Sequence, residues 1–281
     1  MHLPHKICLL FKALRISEWR GYVGLSLFGL ALSSGDLQSF TLGLFRLLPL
    51  VFFYMSTAYL TNNIFDAEGD RLNPHKAGRN PFAQNLLRPE EGLAALLLIV
   101  LSSLVFAVRL YGSEGFLVYA AALVIVIFYS APPLRFKEKP PFDLLSHSLF
   151  FGVLPLLIGY YAGEGRATLN PLLMLAIAIY SIQLELRNEI EDFTADMLAS
   201  YRTTAVLFGY RESYAFAWGT TAVFIALTAY MLCELGLGLL GLFPISLALL
   251  AFLEKVDFRI RMKIVDLYAT FFLAIFLFMS C

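Results

Sequence analysis

NNIFDAEGD (residues 62–70) closes one long apolar run, and NEIEDFTAD (residues 188–196) closes another. In each, an Asn is followed by Asp four and eight positions on: Asn62, Asp66 and Asp70, then Asn188, Asp192 and Asp196. A step of four residues turns a helix by only about 40°, so each triad is expected to form a ladder of oxygens along one helix face, roughly 12 Å long. One such ladder reads as the solvated end of a membrane helix. Its repetition, both times at the same end of an apolar segment, points to a site built from the two together. Carboxylates presented this way suit a hard cation such as Mg2+, which takes one or two of them and completes its shell with phosphate oxygens and water. Two facing ladders therefore suggest a diphosphate bridged by metal ions.

The sequence outside the ladders sets their surroundings. Of 281 residues 59% are hydrophobic and 15% charged, with a mean hydropathy of +0.73, too apolar for a soluble domain. Segments that cross a bilayer as helices need about 20 apolar residues. The expectation is an all-α, multi-pass membrane protein with nine transmembrane helices near 20–36, 43–65, 92–110, 115–131, 143–162, 171–187, 213–232, 235–253 and 264–280. The triads start 126 residues apart, each after the second helix of a set of four. The chain thus reads as a single domain over 1–281 made of two four-helix halves, about 20–131 and 143–253, with a ninth helix at about 264–280 closing the bundle.

Net charge is zero, so only its distribution informs. Lys and Arg number 18 in the N-terminus and the loops on its side, against Arg46, Arg109 and Arg166 on the other. The positive-inside rule then expects the N-terminus and both triads in the cytoplasm, in a cell membrane. Residues 1–19 lack an uninterrupted apolar core and are not a signal peptide; they read as an amphipathic helix at the interface, with Trp19 as its anchor. Cys8, Cys233 and Cys281 are too scattered for a disulfide or a Cys-based metal site.

Each triad sits at a helix C-terminus, whose partial negative charge adds to the carboxylates and would repel a bare diphosphate. Metal must mediate. Lys76 and Arg79 in DRLNPHKAGRNP (70–81), Arg135 and Lys137 in YSAPPLRFK (129–137), and Arg202 beyond the second triad supply cations on the same side. They suit diphosphate oxygens, Lys as a point charge and Arg as a fork.

These residues resemble the UbiA superfamily of intramembrane prenyltransferases, which carry N/D-x3-D-x3-D motifs after their second and sixth helices. NPHKAGRNP (73–81) looks like the family's basic loop, YSAPPLRFK like its Tyr-Ser segment after the fourth helix, and Asp196, Arg202, Thr203 and Gly209 like the tail of its second motif. The resemblance implies nine helices around a lipid-open cavity, Mg2+, a polyprenyl diphosphate donor, and transfer of its prenyl group to an aromatic or lipid acceptor in the bilayer. It implies Asp66, Asp70, Asp192 and Asp196 as the catalytic carboxylates, with Asn62 and Asn188 completing the metal set, Lys76, Arg79, Lys137 and Arg202 on the diphosphate, and Tyr129 and Ser130 against substrate. Asn63, Ser200 and the RNP string (79–81) depart from the family pattern and bear on the acceptor, for which carotenoid- and lipid-modifying branches look closer than haem-pathway ones.

Loss of diphosphate leaves an allylic cation, which aromatic faces stabilise; Tyr54, Tyr59 and Tyr129 are candidates. No general base stands out, and His147 reads as a packed or interfacial residue. Arg15 and Arg20 read as snorkelling side chains, and Glu68, Glu185, Glu189 and Glu191 as off the ladder faces. The alternatives are a transporter or cation-binding protein, and a UbiA-like enzyme acting on a carotenoid or a phosphoribosyl or phospholipid-type substrate. Transport is disfavoured because ionisable groups in transporters lie near the midplane, not all at one edge. The D-G-x2-A-R-x8-G-x3-D-x3-D string of CDP-alcohol phosphotransferases is absent, and nucleic acid is not expected as a partner.

Overall fold

The computed structural model describes residues 3–163, 168–237, 245–246, 248, 251–252 and 257–280. Every regular element among them is helical: α1 Leu3–Ala13, α2 Arg20–Ser33, α3 Leu37–Phe65, α4 Pro89–Leu110, α5 Ser113–Ser130, α6 Phe142–Ala162, α7 Pro171–Leu198, α8 Tyr210–Glu234 and α9 Phe258–Ser280, with short helices between. Local chemistry sets several starts. Asp36 accepts from Ser39 N at 2.7 Å while Ser39 Oγ accepts from Asp36 N at 3.1 Å, a capping box that opens α3. Asn170 caps α7 at Leu172 N (2.9 Å), with Pro171 in the first turn, where its missing N–H is not needed.

Six of these helices, α3, α4, α5, α6, α8 and α9, are long and apolar enough to cross a membrane. The expected nine spans are matched by six among the described residues. The expected span at 20–36 is a helix of 14 residues, shorter than a bilayer requires. The one at 171–187 is the first part of a 28-residue helix that continues through the second triad and is too polar to stand among the six. The helix expected at 235–253 lies for the most part outside the described residues, as does Arg166.

Two apolar cores form. One gathers α3, α4, α5 and the end of α6 around Leu47, Tyr54, Leu96 and Tyr119; the other gathers α7, α8 and α9 around Ile177, Phe224, Val265 and Phe272. Helices α2 and α6 are the seam, since Phe28 and Leu156 belong to the second core and Leu30 and Ile158 to the first. This seam is unusually close because of glycine. A Cβ on Gly29 would stand 2.0 Å from Leu156 O, and one on Gly159 1.7 Å from Ser26 O, so neither position admits a side chain. Small residues bring membrane helices together in this way, where burial alone gives no drive for association.

Helix α6 is not uniform. Ser148–Val153 forms a π-helical turn, wider than the flanking α-helix, and Phe150 O accepts a hydrogen bond from Tyr54 Oη at 2.5 Å. Such turns recur at functional sites. Helix α1 leaves Ile7 and Phe11 exposed and buries Leu9 and Ala13. Trp19 departs from expectation. It is buried, its Nε1 donating to Leu14 O at 2.8 Å, and it joins the core instead of anchoring at a surface.

Candidate active site

The first ladder is not carried by a single helix. Helix α3 ends at Phe65, Asp66 caps it, and Asp70 lies on the short helix Ala67–Arg71. The i→i−4 bonds nevertheless run through the break, Asp66 N to Asn62 O at 2.9 Å and Asp70 N to Asp66 O at 2.8 Å, so the rungs stay in line. The second ladder lies wholly within α7.

Both ladders reach one cavity of about 800 Å3, with Asn62, Asp66 and Asp70 in one wall and Asn188 and Asp192 in the other. Lys76, Arg79, Tyr129 and Ser130 also line it. Asp196, Arg135, Lys137 and Arg202, also singled out in the sequence, do not. Asp196 is buried behind the wall, Arg135 and Lys137 reach it only through ion pairs with Asp66, and Arg202 is exposed away from it. Of the candidate aromatics, Tyr59 and Tyr129 line the cavity, whereas Tyr54 is in the core on Phe150 O.

Cations pair with the acids of both ladders. Asp66 pairs with Lys137 and, at 3.4 Å, with Arg135 Nη2, and it accepts from Asn62 Nδ2 at 2.5 Å. Asp70 accepts from Asn80 Nδ2 at 2.9 Å; burial pushes its carboxyl above the usual range, against the lowering from that bond. Lys76, on the short helix after the first ladder, crosses to Asp192 at 2.8 Å. Burial opposes its charge, but Asp192, Asp196 and Asp70 outweigh this and its pKa is raised. Burial also pushes Asp196 up to about 6. An ammonium thus already sits among carboxylates of both ladders, which is the electrostatic condition a divalent cation would meet. Among the described residues no three acidic, His or Cys side chains converge as a ready-made cage. The oxygens present fit Mg2+ that takes part of its shell from a substrate phosphate.

Several residues here escaped the sequence reading. Asn80, inside the quoted basic loop, ties that loop to the ladder through Asp70 and through Asn63 O (2.8 Å). Arg15 lines the cavity, its guanidinium 5.2 Å from the Tyr59 ring centre and bonded to Glu18, which also takes Arg79 at 3.1 Å. Glu185 and Glu191 line the wall as well. Glu185 accepts from Tyr129 Oη and from Asn188 Nδ2 (3.2 Å), and stands 3.2 Å from His147 Nε2, whose other nitrogen lies 3.1 Å from Ser181 O. A carbonyl oxygen only accepts, so that second nitrogen carries a hydrogen.

Beyond the ladders the cavity is aromatic. Tyr129 lies 4.4 Å from Phe150, Phe150 4.2 Å from Phe151, and Phe151 stacks on Tyr22 at 4.0 Å. The site therefore has a charged, oxygen-rich mouth and a ring-lined interior, with the His147–Glu185 pair at their junction.

Comparison with known proteins gives the family and the fold. The chain matches the profile of the UbiA prenyltransferase family over residues 22–279. It is 32% identical over 184 residues to a lycopene elongase/hydratase of Halobacterium salinarum, covering 65% of this chain and 64% of that protein. It is 32% identical over 195 residues to the Haloferax volcanii lycopene elongase/hydratase, covering 66% and 60%. The chain thus spans somewhat under two thirds of these relatives. A UbiA homologue from Archaeoglobus fulgidus, solved with DMAPP and Mg2+, has the same fold, with a TM-score of 0.72 over 96% of this chain and 98% of that one at 20% identity.

Proposed function

The chain belongs to the UbiA prenyltransferase family, and on that premise we propose that it transfers a prenyl group from a prenyl diphosphate to a long apolar acceptor of the carotenoid type, within the membrane and with Mg2+. The observation that carries this reading is the meeting of both Asn/Asp ladders at one cavity whose interior is aromatic. The acceptor class draws on the lycopene elongase/hydratase relatives.

Asp66, Asp70 and Asp192, with Asn62 and Asn188, would hold the metal, and Asp196, expected from the sequence to join them, would act from behind the wall. Bound there, Mg2+ supplies positive charge to the departing diphosphate. Lys76, Arg79 and Arg15 face the same space and bind the diphosphate oxygens, the arginines as forks and the lysine as a point charge. Lys137, through Asp66, adds a charge at the edge. The prenyl chain lies among Tyr22, Tyr129, Phe150 and Phe151, whose ring faces stabilise the allylic cation and keep water from it. Ser130, 3.4 Å from Asn62 Nδ2, orients that rung. A domain of two four-helix halves with the ladders on the cytoplasmic side belongs to the same proposal.

Purified protein would be given dimethylallyl diphosphate, Mg2+ and either lycopene or a phenolic acceptor, with diphosphate release and product mass as readouts. The expected result is Mg2+-dependent release with prenylated lycopene. Transfer to the phenol alone would overturn the acceptor, and release unaffected by chelator would overturn the metal-assisted reading.

A further inference from the structure

Resting on that reading, we propose that the stacked rings of Tyr22 and Phe151 form a floor that restricts the donor to one or two isoprene units. The cavity is shallow beneath its charged mouth. On α3 its deepest wall residue is Ala58, eight positions before Asp66, and on α7 it is Glu185, seven before Asp192. At 1.5 Å per residue, these place the floor only about 10–12 Å from the carboxylates.

Tyr22 from α2 and Phe151 from the π-helical turn of α6 close this depth, their ring centres 4.0 Å apart and their planes 24° from parallel. Phe151 is held in place by Phe150 at 4.2 Å and by the His147 ring at 4.8 Å. The helices that carry the two rings cannot ease apart cheaply, because the Gly29 and Gly159 contacts already bring their backbones together without side chains between.

The test is thermal stabilisation of the detergent-solubilised protein with Mg2+ and the non-hydrolysable thio-diphosphates of dimethylallyl, geranyl, farnesyl and geranylgeranyl, with inorganic diphosphate as the headgroup probe. Extra methylenes that do not fit a pocket are worth tenfold or more in discrimination, so the geranylgeranyl analogue is expected to need at least about tenfold more ligand than the geranyl one for equal stabilisation. Phe151→Ala and Tyr22→Ala should each bring the two within about threefold, whereas Tyr22→Phe, which keeps the ring, should preserve the discrimination. Phe151→Leu serves if the alanine variants do not fold. Equal response of the wild-type protein to geranyl and geranylgeranyl analogues would overturn the floor, as would an unchanged ratio in folded ring-deleted variants. If inorganic diphosphate gives no Mg2+-dependent stabilisation, the headgroup reading fails and the floor falls with it, an outcome distinct from stabilisation that ignores chain length.

Discussion

Glu185 is the buried acceptor at the cavity wall on which Tyr129 Oη and Asn188 Nδ2 both depend. Leaving a buried donor without its acceptor costs about 1–3 kcal/mol. Glu185→Leu should therefore lower the melting temperature in detergent more than Tyr129→Phe, which removes one hydrogen bond worth about 1 kcal/mol and strands no donor. Equal losses in the two would show that Glu185 does not organise the pair with His147 and its neighbours. The pair was not legible in the sequence, although the ladders next to it were. Repetition at a fixed spacing exposed Asn62, Asp66, Asp70, Asn188, Asp192 and Asp196, and proximity in the chain exposed Lys76 and Arg79. Glu185 precedes Asn188 by three residues, about 60° around the helix, and was set aside as off-face. A concave wall is wider than a single helix stripe, and its other side, His147 on α6, is remote in sequence. Arg15 was hidden for a similar reason: a cation beside Trp19 reads as snorkelling until the Glu18 and Tyr59 contacts are seen.

At the level of helices, α2 and α6 hold together through positions with no side chain. Gly159→Leu would force its branch into Ser26 O, and Gly29→Leu into Leu156 O. Overpacking typically costs 1–3 kcal/mol, so either change should lower the melting temperature and loosen the ring floor, while Gly219→Leu, which meets nothing within 4 Å, should leave both unaltered. Melting curves of the three variants check this directly. Apolar run length located most helices, but not their ends: α7 runs eleven residues past the expected 187 because its helical hydrogen bonding carries the acidic ladder onward. Nor could run length reveal the wide turn at Ser148–Val153, since a π-helical turn leaves no hydrophobic period of its own.

For the whole molecule, two ladders at one cavity imply one centre. Asp66→Ala and Asp192→Ala should each remove most turnover, and the double mutant should be little worse, because groups serving the same transition-state charge are strongly non-additive. Multiplying effects in the double mutant would mean two separate sites. Orientation has its own check. Cys8 is exposed on α1, and Cys233 is exposed in the last turn of α8, whose first turn follows the short helix Thr204–Phe208 that bonds to Glu189 beside the second ladder. An impermeant thiol reagent on intact cells should label Cys233 and spare Cys8; labelling of Cys8 would reverse the topology. Lys76 and Lys137, already lodged on Asp192 and Asp66, carry a consequence for how the protein is made. A newly inserted chain has no standoff of bare acids waiting for an ion to arrive. Assembly in the bilayer and loading with metal become separate events, so an excess of chelator should silence turnover yet move the melting temperature by less than about 2 °C, under roughly 1 kcal/mol for a chain of this size.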